Sequence, residues 1–290
     1  MIRLAVRVGA ADAEIVLAEL LELAPGGVEE VELAGGMVEY AVYGSPGELP
    51  DMPDLQAAAG EALVEVSSSE VADDWDERWK RFHRPVLIGS PAPGRIPAVR
   101  VRPPWEMPDS HEEVVEVVVD PGQAFGTGGH ATTRLCLELL LELAASEHRR
   151  GALVDVGTGS GVLAIAGAKL GYAPVIGFDH DPESVRAAGQ NASDNGVNID
   201  VRRLDVRVEP VPLSSDDRGL PTVVVANLLR PLLLDLAQTI PSAPSHLLAS
   251  GLLIDEVDEI VDAYAGRLGL RERERRGSGE WGAVWLQADS

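Results

Sequence analysis

Residues 153–182 read Leu-Val-Asp-Val-Gly-Thr-Gly-Ser-Gly-Val-Leu-Ala-Ile-Ala-Gly-Ala-Lys-Leu-Gly-Tyr-Ala-Pro-Val-Ile-Gly-Phe-Asp-His-Asp-Pro. An apolar run leads into a turn with three glycines, then an alanine-rich segment, a second apolar run and an acid. This order predicts strand, turn, helix and strand, with Asp179 where the second strand ends. A carboxylate at that point of an open α/β sheet accepts hydrogen bonds from a ribose diol. The stretch therefore predicts a nucleoside-binding site and favours an enzyme.

The glycine spacing narrows the choice of nucleoside ligand. Gly157, Gly159 and Gly161 let the main chain pass close to a ligand, where a Cβ would collide. Dinucleotide sites prefer G-x-G-x-x-G, whereas this chain has G-x-G-x-G followed by Val162. With an acid 22 residues after Gly157, the pattern resembles the S-adenosylmethionine site of class I methyltransferases more than a dehydrogenase. The alternative is a turn with a structural role only.

The charge of the chain indicates which classes of partner it can bind. It carries 24 basic and 47 acidic residues, a formal net charge of −23. This charge disfavours direct binding to nucleic acid and favours a basic protein partner. Residues 1–66 hold two bases, Arg3 and Arg7, against 13 acids. Solubility or adaptation to salt remains the alternative explanation of this acidity.

Length and composition predict a cytoplasmic globular protein. A chain of 290 residues holds one large or two modest domains. It has no apolar run of the ~18 residues that span a membrane, and its start shows no signal-peptide pattern. Its single cysteine, Cys136, excludes an internal disulfide framework. Because leucines surround Cys136, we interpret it as a buried helical residue rather than a nucleophile.

The first part of the chain predicts a small α+β domain. Residues 1–66 show the order βαββαβ of a ferredoxin-like fold, and the serines at 67–69 suggest its boundary. Residues 67–84 read as a linker with a short helix, on which Trp75 and Trp79 share one face. Such a pair could stack on a ligand, but packing between domains is the interpretation we favour.

Residues 85–290 predict a larger α/β domain. Residues 85–119 read as β segments, and from residue 131 helices and strands alternate. Such alternation produces a doubly wound sheet with helices on both faces. The last two strands, 268–275 and 281–287, have no helix between them, so we expect them to pair antiparallel.

Two further segments carry candidate chemistry. A glycine-rich loop over residues 120–134 precedes a predicted helix. Thr132 and Thr133 lie in the first turn of that helix, where free N–H groups and hydroxyls can bind a carboxylate. The alternative is a threonine cap, and we interpret His130 in this loop as structural. Asn227 falls where a central strand ends, and its side chain offers both a donor and an acceptor to a ligand. The alternative is that Asn227 only caps the next helix.

The sequence Asp179-His180-Asp181 does not predict a metal site. Three adjacent residues alternate in direction and rarely converge on one ion. We therefore expect no metal.

These motifs together resemble the ribosomal protein L11 methyltransferase family (PrmA-type), over residues 75–290. The most specific is Phe-Gly-Thr-Gly-x-His-x-Thr-Thr at 125–133, while residues 1–66 match in strand pattern and acidity. Ala131 stands where the family often has proline, and Thr158 where it often has cysteine. The other matching motifs are Trp75-x3-Trp79-Lys80-x-Phe82, Arg102-Pro103-Pro104-Trp105, the glycine turn, Ala226-Asn227-Leu228-Leu229, Ser250-Gly251-Leu252-Leu253 and Gly279-Glu280-Trp281.

The resemblance implies an S-adenosylmethionine-dependent protein methyltransferase with a class I, Rossmann-like domain of seven strands. It implies that the small first domain recognises a basic ribosomal protein, whose lysine side chains or N-terminal amine are methylated. We expect Asn227, as the catalytic residue, to orient that amine through its side chain or nearby carbonyls. The implied cofactor contacts are Thr133, Gly157, Gly159, Asp179 and Asn227.

Three other functions are compatible with parts of the sequence. A methyltransferase acting on lysines of a different protein would share the catalytic domain and differ in residues 1–66. A nucleic-acid methyltransferase is disfavoured by the charge. A ligand sensor without activity would keep the cofactor site but would not need Asn227 at a strand end. We expect a monomer.

Overall fold

A computed structural model of the chain describes residues 2–9, 13, 16–17, 20, 28–33, 35–44, 49–50, 52–70, 83–90, 98–109, 114–121, 128–146, 150–213 and 220–289. The chain divides into two compact units, Met1–Phe82 and His83–Ser290. The predicted helix with Trp75 and Trp79 and the glycine-rich loop over 122–127 lie outside the described residues.

The first unit is a four-stranded antiparallel sheet in the order β2-β3-β1-β4. The described positions of the first predicted helix, residues 13, 16, 17 and 20, are helical. Together with the helix after β3 they give the βαββαβ order, which confirms the predicted ferredoxin-like fold. The elements are β1 (Ile2–Gly9), β2 (Glu29–Leu33), β3 (Met37–Gly44), α1 (Met52–Ala59), a short 3₁₀ helix (Gly60–Ala62) and β4 (Leu63–Glu70).

The serine run does not end this sheet. Strand β4 runs on to Glu70, because Ser67 pairs with Ala5 and Ser69 with Arg3 of the central strand β1. Serine is a poor predictor of strand, and here the pairing with β1 overrides it. The sheet therefore continues beyond residue 66, and the assignment of this unit to substrate recognition stays a prediction.

The two faces of the small sheet differ. Val6 and Val8 of β1 lie in a core with Val16, Leu20 and Leu55 from the helical side. Alternate residues of a strand point to opposite faces, so the arginines of β1 lie on the other one.

The second unit is built on a seven-stranded sheet in the order β10-β9-β8-β11-β12-β14-β13. Its first five strands are parallel, and β14 is antiparallel to both of its neighbours. The expected antiparallel pair and the predicted class I, doubly wound sheet are confirmed. The strands are β8 (Leu153–Val156), β9 (Val175–Asp179), β10 (Asp200–Arg203), β11 (Val223–Asn227), β12 (His246–Leu253), β13 (Arg271–Ser278) and β14 (Trp281–Gln287).

Helices cover both faces of this sheet. One buried cluster joins Leu137 and Ile165 to Leu153 of β8, and the other joins Leu236 and Ile260 to the next residue, Val154. Because both faces are buried, the central strands are mostly apolar. The helices are α2 (Ala131–Ser146), α3 (Val162–Lys169), α4 (Pro182–Asp194), α5 (Arg230–Thr239) and α6 (Val257–Leu268).

A three-stranded sheet precedes α2 in the same unit. Strand β6 (Ala98–Arg102) pairs antiparallel with β5 (Val86–Ile88) and parallel with β7 (Val114–Val118). Cys136 of α2 is fully buried, as expected. Within the described ranges, the helices are too short or too polar to cross a membrane.

Candidate functional site

The glycine turn connects β8 to α3 at the carboxyl edge of the large sheet. The N–H groups of Gly157 and Thr158 both donate to Phe178 O on β9, at 2.8 and 2.9 Å. Gly157 has a φ of +74°, which favours glycine, and a Cβ there would lie 2.3 Å from Leu228 Cδ2. Both the backbone conformation and the packing therefore require glycine at this position.

Asp179 joins the turn to the end of β9. Its side chain is 10% exposed. Gly159 N donates to Oδ2 at 2.9 Å, and Asp181 N donates to Oδ1 at 3.0 Å. A carboxylate has about four acceptor positions, so these two bonds leave room for a diol. The acid and the glycine turn therefore lie side by side at the same edge of the sheet.

Asn227 and Thr133 meet although 94 residues separate them. Asn227 ends β11 beside Ser250 of β12, and its Nδ2 donates to Thr133 Oγ1 at 3.3 Å. Thr133 is fully buried in the first turn of α2. No bond from a described residue reaches Asn227 Oδ1. The two segments that the sequence suggested separately thus form one side of the site.

His130 is held by contacts inside the protein. Its Nδ1 lies 2.7 Å from Thr132 Oγ1, and its ring contacts Trp281 edge-on, with centroids 5.1 Å apart. Burial lowers the pKa of His130, so the ring stays neutral near pH 7. These contacts agree with the structural interpretation of this residue.

Asp155 is a residue of the site that the sequence analysis missed. It is fully buried, and its Oδ2 accepts hydrogen bonds from Thr158 Oγ1 at 2.7 Å and Ala164 N at 3.1 Å. Its Oδ1 has no hydrogen-bond partner among the described residues. Burial raises the pKa of Asp155 to about 7, and the charge of Asp179 adds to the shift. An acid inside the apolar run of β8 was the signal that could have identified it.

These groups fit a nucleoside that carries an amino-acid tail. A buried carboxylate faces a turn lined with N–H groups on one side. A hydroxyl, an amide and the start of a helix, where N–H groups lack intrahelical partners, lie on the other side. Among the described residues, no cluster of three or more His, Cys, Asp or Glu could hold a metal ion.

Comparison with known proteins gives a consistent result. The family model described as "Ribosomal protein L11 methyltransferase (PrmA)" matches residues 51–289. A protein of that name from Syntrophotalea carbinolica is 38% identical over 230 residues, covering 76% of this chain and 70% of its own. One from Alkaliphilus oremlandii is 32% identical over 261 residues, covering 89% and 74%.

A solved structure is also similar. The ribosomal protein L11 methylase of Lactobacillus delbrueckii subsp. bulgaricus is 28% identical, with a TM-score of 0.56. The match covers 70% of this chain and 99% of that one.

Proposed function

We propose that this chain methylates amino groups of ribosomal protein L11, because it belongs to the ribosomal protein L11 methyltransferase family. Membership makes it an S-adenosylmethionine-dependent protein methyltransferase. The proposal concerns the particular substrate and the residues that act on it. The observation that carries it is the Asn227–Thr133 contact at the same sheet edge as the Asp179–Gly159 contact.

S-adenosylmethionine supplies a methyl group that its sulfonium has already activated. We propose that Asp179 binds the ribose hydroxyls, since its carboxylate keeps acceptor positions beyond those used by Gly159 and Asp181. Gly157 and Gly159 shape the turn so that backbone approaches the ligand closely. Thr133 and the first turn of α2 bind the amino-acid part.

Asn227 orients the amine. Its Nδ2 is fixed by Thr133, so the side-chain oxygen has a defined direction and can accept a hydrogen bond from the amine nitrogen. Correct placement of two reacting groups is worth several kcal/mol in enzymes, and methyl transfer needs little else from the protein. Asn227 therefore positions the amine and supplies no charge to it.

The amine must lose a proton before it can attack. A lysine with a pKa of about 10.4 is neutral about once in 2,500 near pH 7, which costs about 4.6 kcal/mol. An N-terminal amine with a pKa of about 7.8 costs about 1 kcal/mol. An amide such as Asn227 is not a base, so the proton passes to water. A low dielectric next to the positive sulfonium itself favours the neutral amine.

The first unit supports a basic protein substrate. Its two bases at residues 1–66, Arg3 and Arg7, both bond Glu39, and Arg7 also bonds Glu65. These hydrogen bonds lower the pKa of Glu39, so it stays ionised. By composition, residues 1–66 carry 13 acids against these two bases, so this part of the chain holds a net negative charge. Such a net charge attracts a basic protein and repels nucleic acid. We place the reaction in the cytoplasm and assign it to a monomer.

The test uses purified large-subunit ribosomal proteins and ribosomal RNA incubated with methyl-labelled cofactor. We expect label on amines of protein L11, located by mass spectrometry, and none on RNA. The control is Asn227→Ala at equal concentration, with cofactor binding checked by calorimetry. Label confined to lysines of a different protein would replace this function by the alternative one, and label on RNA would overturn both.

A further inference from the structure

Asn191 of α4 joins two segments of the site that lie far apart in sequence. Its side chain is buried, with only 3% of the residue exposed. Nδ2 donates to Ser160 O in the glycine turn at 2.8 Å. Oδ1 accepts from Asp120 N at 3.2 Å, at the beginning of the segment that leads to α2. One amide thus bridges the glycine turn and the entrance to the segment that carries Thr133.

The two bonded segments hold opposite sides of the proposed cofactor site. Next to Ser160, Gly159 donates to Asp179 on the ribose side. The chain from Asp120 reaches Thr133, which contacts Asn227. Asn191 therefore fixes the start of the segment that leads to Thr133 relative to the turn that carries the ribose contact.

The chemistry at this position requires an amide. Asn191 uses a donor and an acceptor at the same time, which neither a carboxylate nor an aliphatic side chain of this size provides. A buried carbonyl or N–H group left without a partner is costly, so both bonds constrain the backbone.

Asn195, the residue that caps the C-terminus of α4, is also an asparagine whose side chain donates and accepts, but it bonds different groups. Its Oδ1 accepts from Val118 N at 2.9 Å, and its Nδ2 donates to Val118 O at 2.6 Å and to Asn191 O at 2.8 Å. It thereby fastens α4 to strand β7, close to Asp120. None of its side-chain bonds to described residues reaches the glycine turn. Asn195 is therefore a matched control of the same residue type, at the end of the same helix and bonded to the strand that precedes Asp120.

We propose that Asn191 is a positioning residue for methyl transfer, which sets the spacing between the glycine turn and the segment entering α2. The proposal rests on the proposed cofactor contacts Thr133 and Asp179. It predicts that Asn191 acts on cofactor affinity through both of them. Asn195 contributes only to the stability of the fold.

The test compares Asn191→Asp with Asn195→Asp in the full chain. Each change keeps the shape and an acceptor, but it places a carboxylate oxygen against a backbone carbonyl. We expect Asn191→Asp to weaken S-adenosylmethionine binding about tenfold in calorimetry, comparable to losing one charge-assisted hydrogen bond. We expect Asn195→Asp to leave affinity within about twofold of the original chain, although it lowers the melting temperature similarly. Asn191→Ser, which is smaller and uncharged, replaces Asn191→Asp if that variant does not fold.

A double-mutant cycle separates positioning from loss of stability. Asn191→Asp combined with Thr133→Val should cost less than the sum of the single effects on affinity, and likewise with Asp179→Ala. Additive effects in both cycles, or equal loss of affinity in the Asn191 and Asn195 variants, would overturn the proposal. If Asp179→Ala itself leaves affinity unchanged, the proposed cofactor site fails, and the inference falls with it. If Asp179→Ala weakens binding but Asn191→Asp does not, only the inference fails.

Discussion

The polar networks of the two units are built from different interactions. In the first unit, Arg3 and Arg7 pair with Glu39 through side chains on a sheet face. In the second unit, Asp179 is bonded by backbone N–H groups of Gly159 and Asp181. Partly exposed ion pairs contribute only about 0–1 kcal/mol and tolerate change. Backbone donors depend on the turn conformation, so the network of the second unit holds the Asp179 carboxylate in a defined position. The network of the first unit mainly contributes charge.

The largest expected effect is on turnover at Asn227. Asn227→Ala should lower kcat about a hundredfold or more, because misplacing a reacting group costs that much, while cofactor affinity falls much less. Steady-state rates on the ribosomal protein and calorimetry with the cofactor measure the two quantities. Equal losses of kcat and of cofactor affinity would make Asn227 a cofactor contact without a separate catalytic role. The polar network of the second unit would then position the cofactor but not the amine.

The next effect is on cofactor affinity at Asp179. Asp179→Ala should weaken S-adenosylmethionine binding about tenfold to a hundredfold, the loss of one charge-assisted hydrogen bond of about 1.5–3 kcal/mol. The matched control is Asp200→Ala, an exposed acid on the neighbouring strand β10, which should leave affinity unchanged. A folded Asp179→Ala protein with the original affinity would remove this residue from the site.

A smaller effect is expected from the charge of the first unit. Raising salt from about 50 to 200 mM should slow methylation of the ribosomal protein several-fold, because the Debye length falls with ionic strength. A chain of residues 83–290, which has two buried clusters of its own, should retain cofactor affinity and lose this salt dependence. If the fragment methylates the intact substrate as fast as the full chain, recognition lies in the second unit.

The last prediction concerns the pH dependence of stability at Asp155. Its pKa of about 7 in the folded protein exceeds the ordinary value. Between about pH 4 and 7 the folded state therefore holds a proton that the unfolded state has lost, so this group's contribution to stability falls as pH rises. Melting temperatures should show the original chain losing stability relative to Asp155→Asn over this range. A constant difference between the two would mean that Asp155 is ionised throughout.

Most of the fold followed from local pattern. The apolar runs of β8 and β9, the glycine turn and the alternation beyond residue 131 predicted the parallel sheet, because strand and helix periods are set by backbone geometry. The serines at 67–69 were the exception. Their place in β4 depends on pairing with β1, which composition does not encode.

The features of the site also fall into those that the sequence determined and those that tertiary packing decided. The sequence by itself determined the glycine turn, the acid at the end of β9 and the amide at the end of β11, since each is a residue type at a defined point of a local element. Only the tertiary structure decided that Asn227 meets Thr133, that Asn191 bridges Ser160 and Asp120, and that one oxygen of Asp155 lacks a partner among the described residues. A hydrogen bond requires its atoms within a few tenths of an ångström of the right distance, and packing between elements distant in sequence sets that distance.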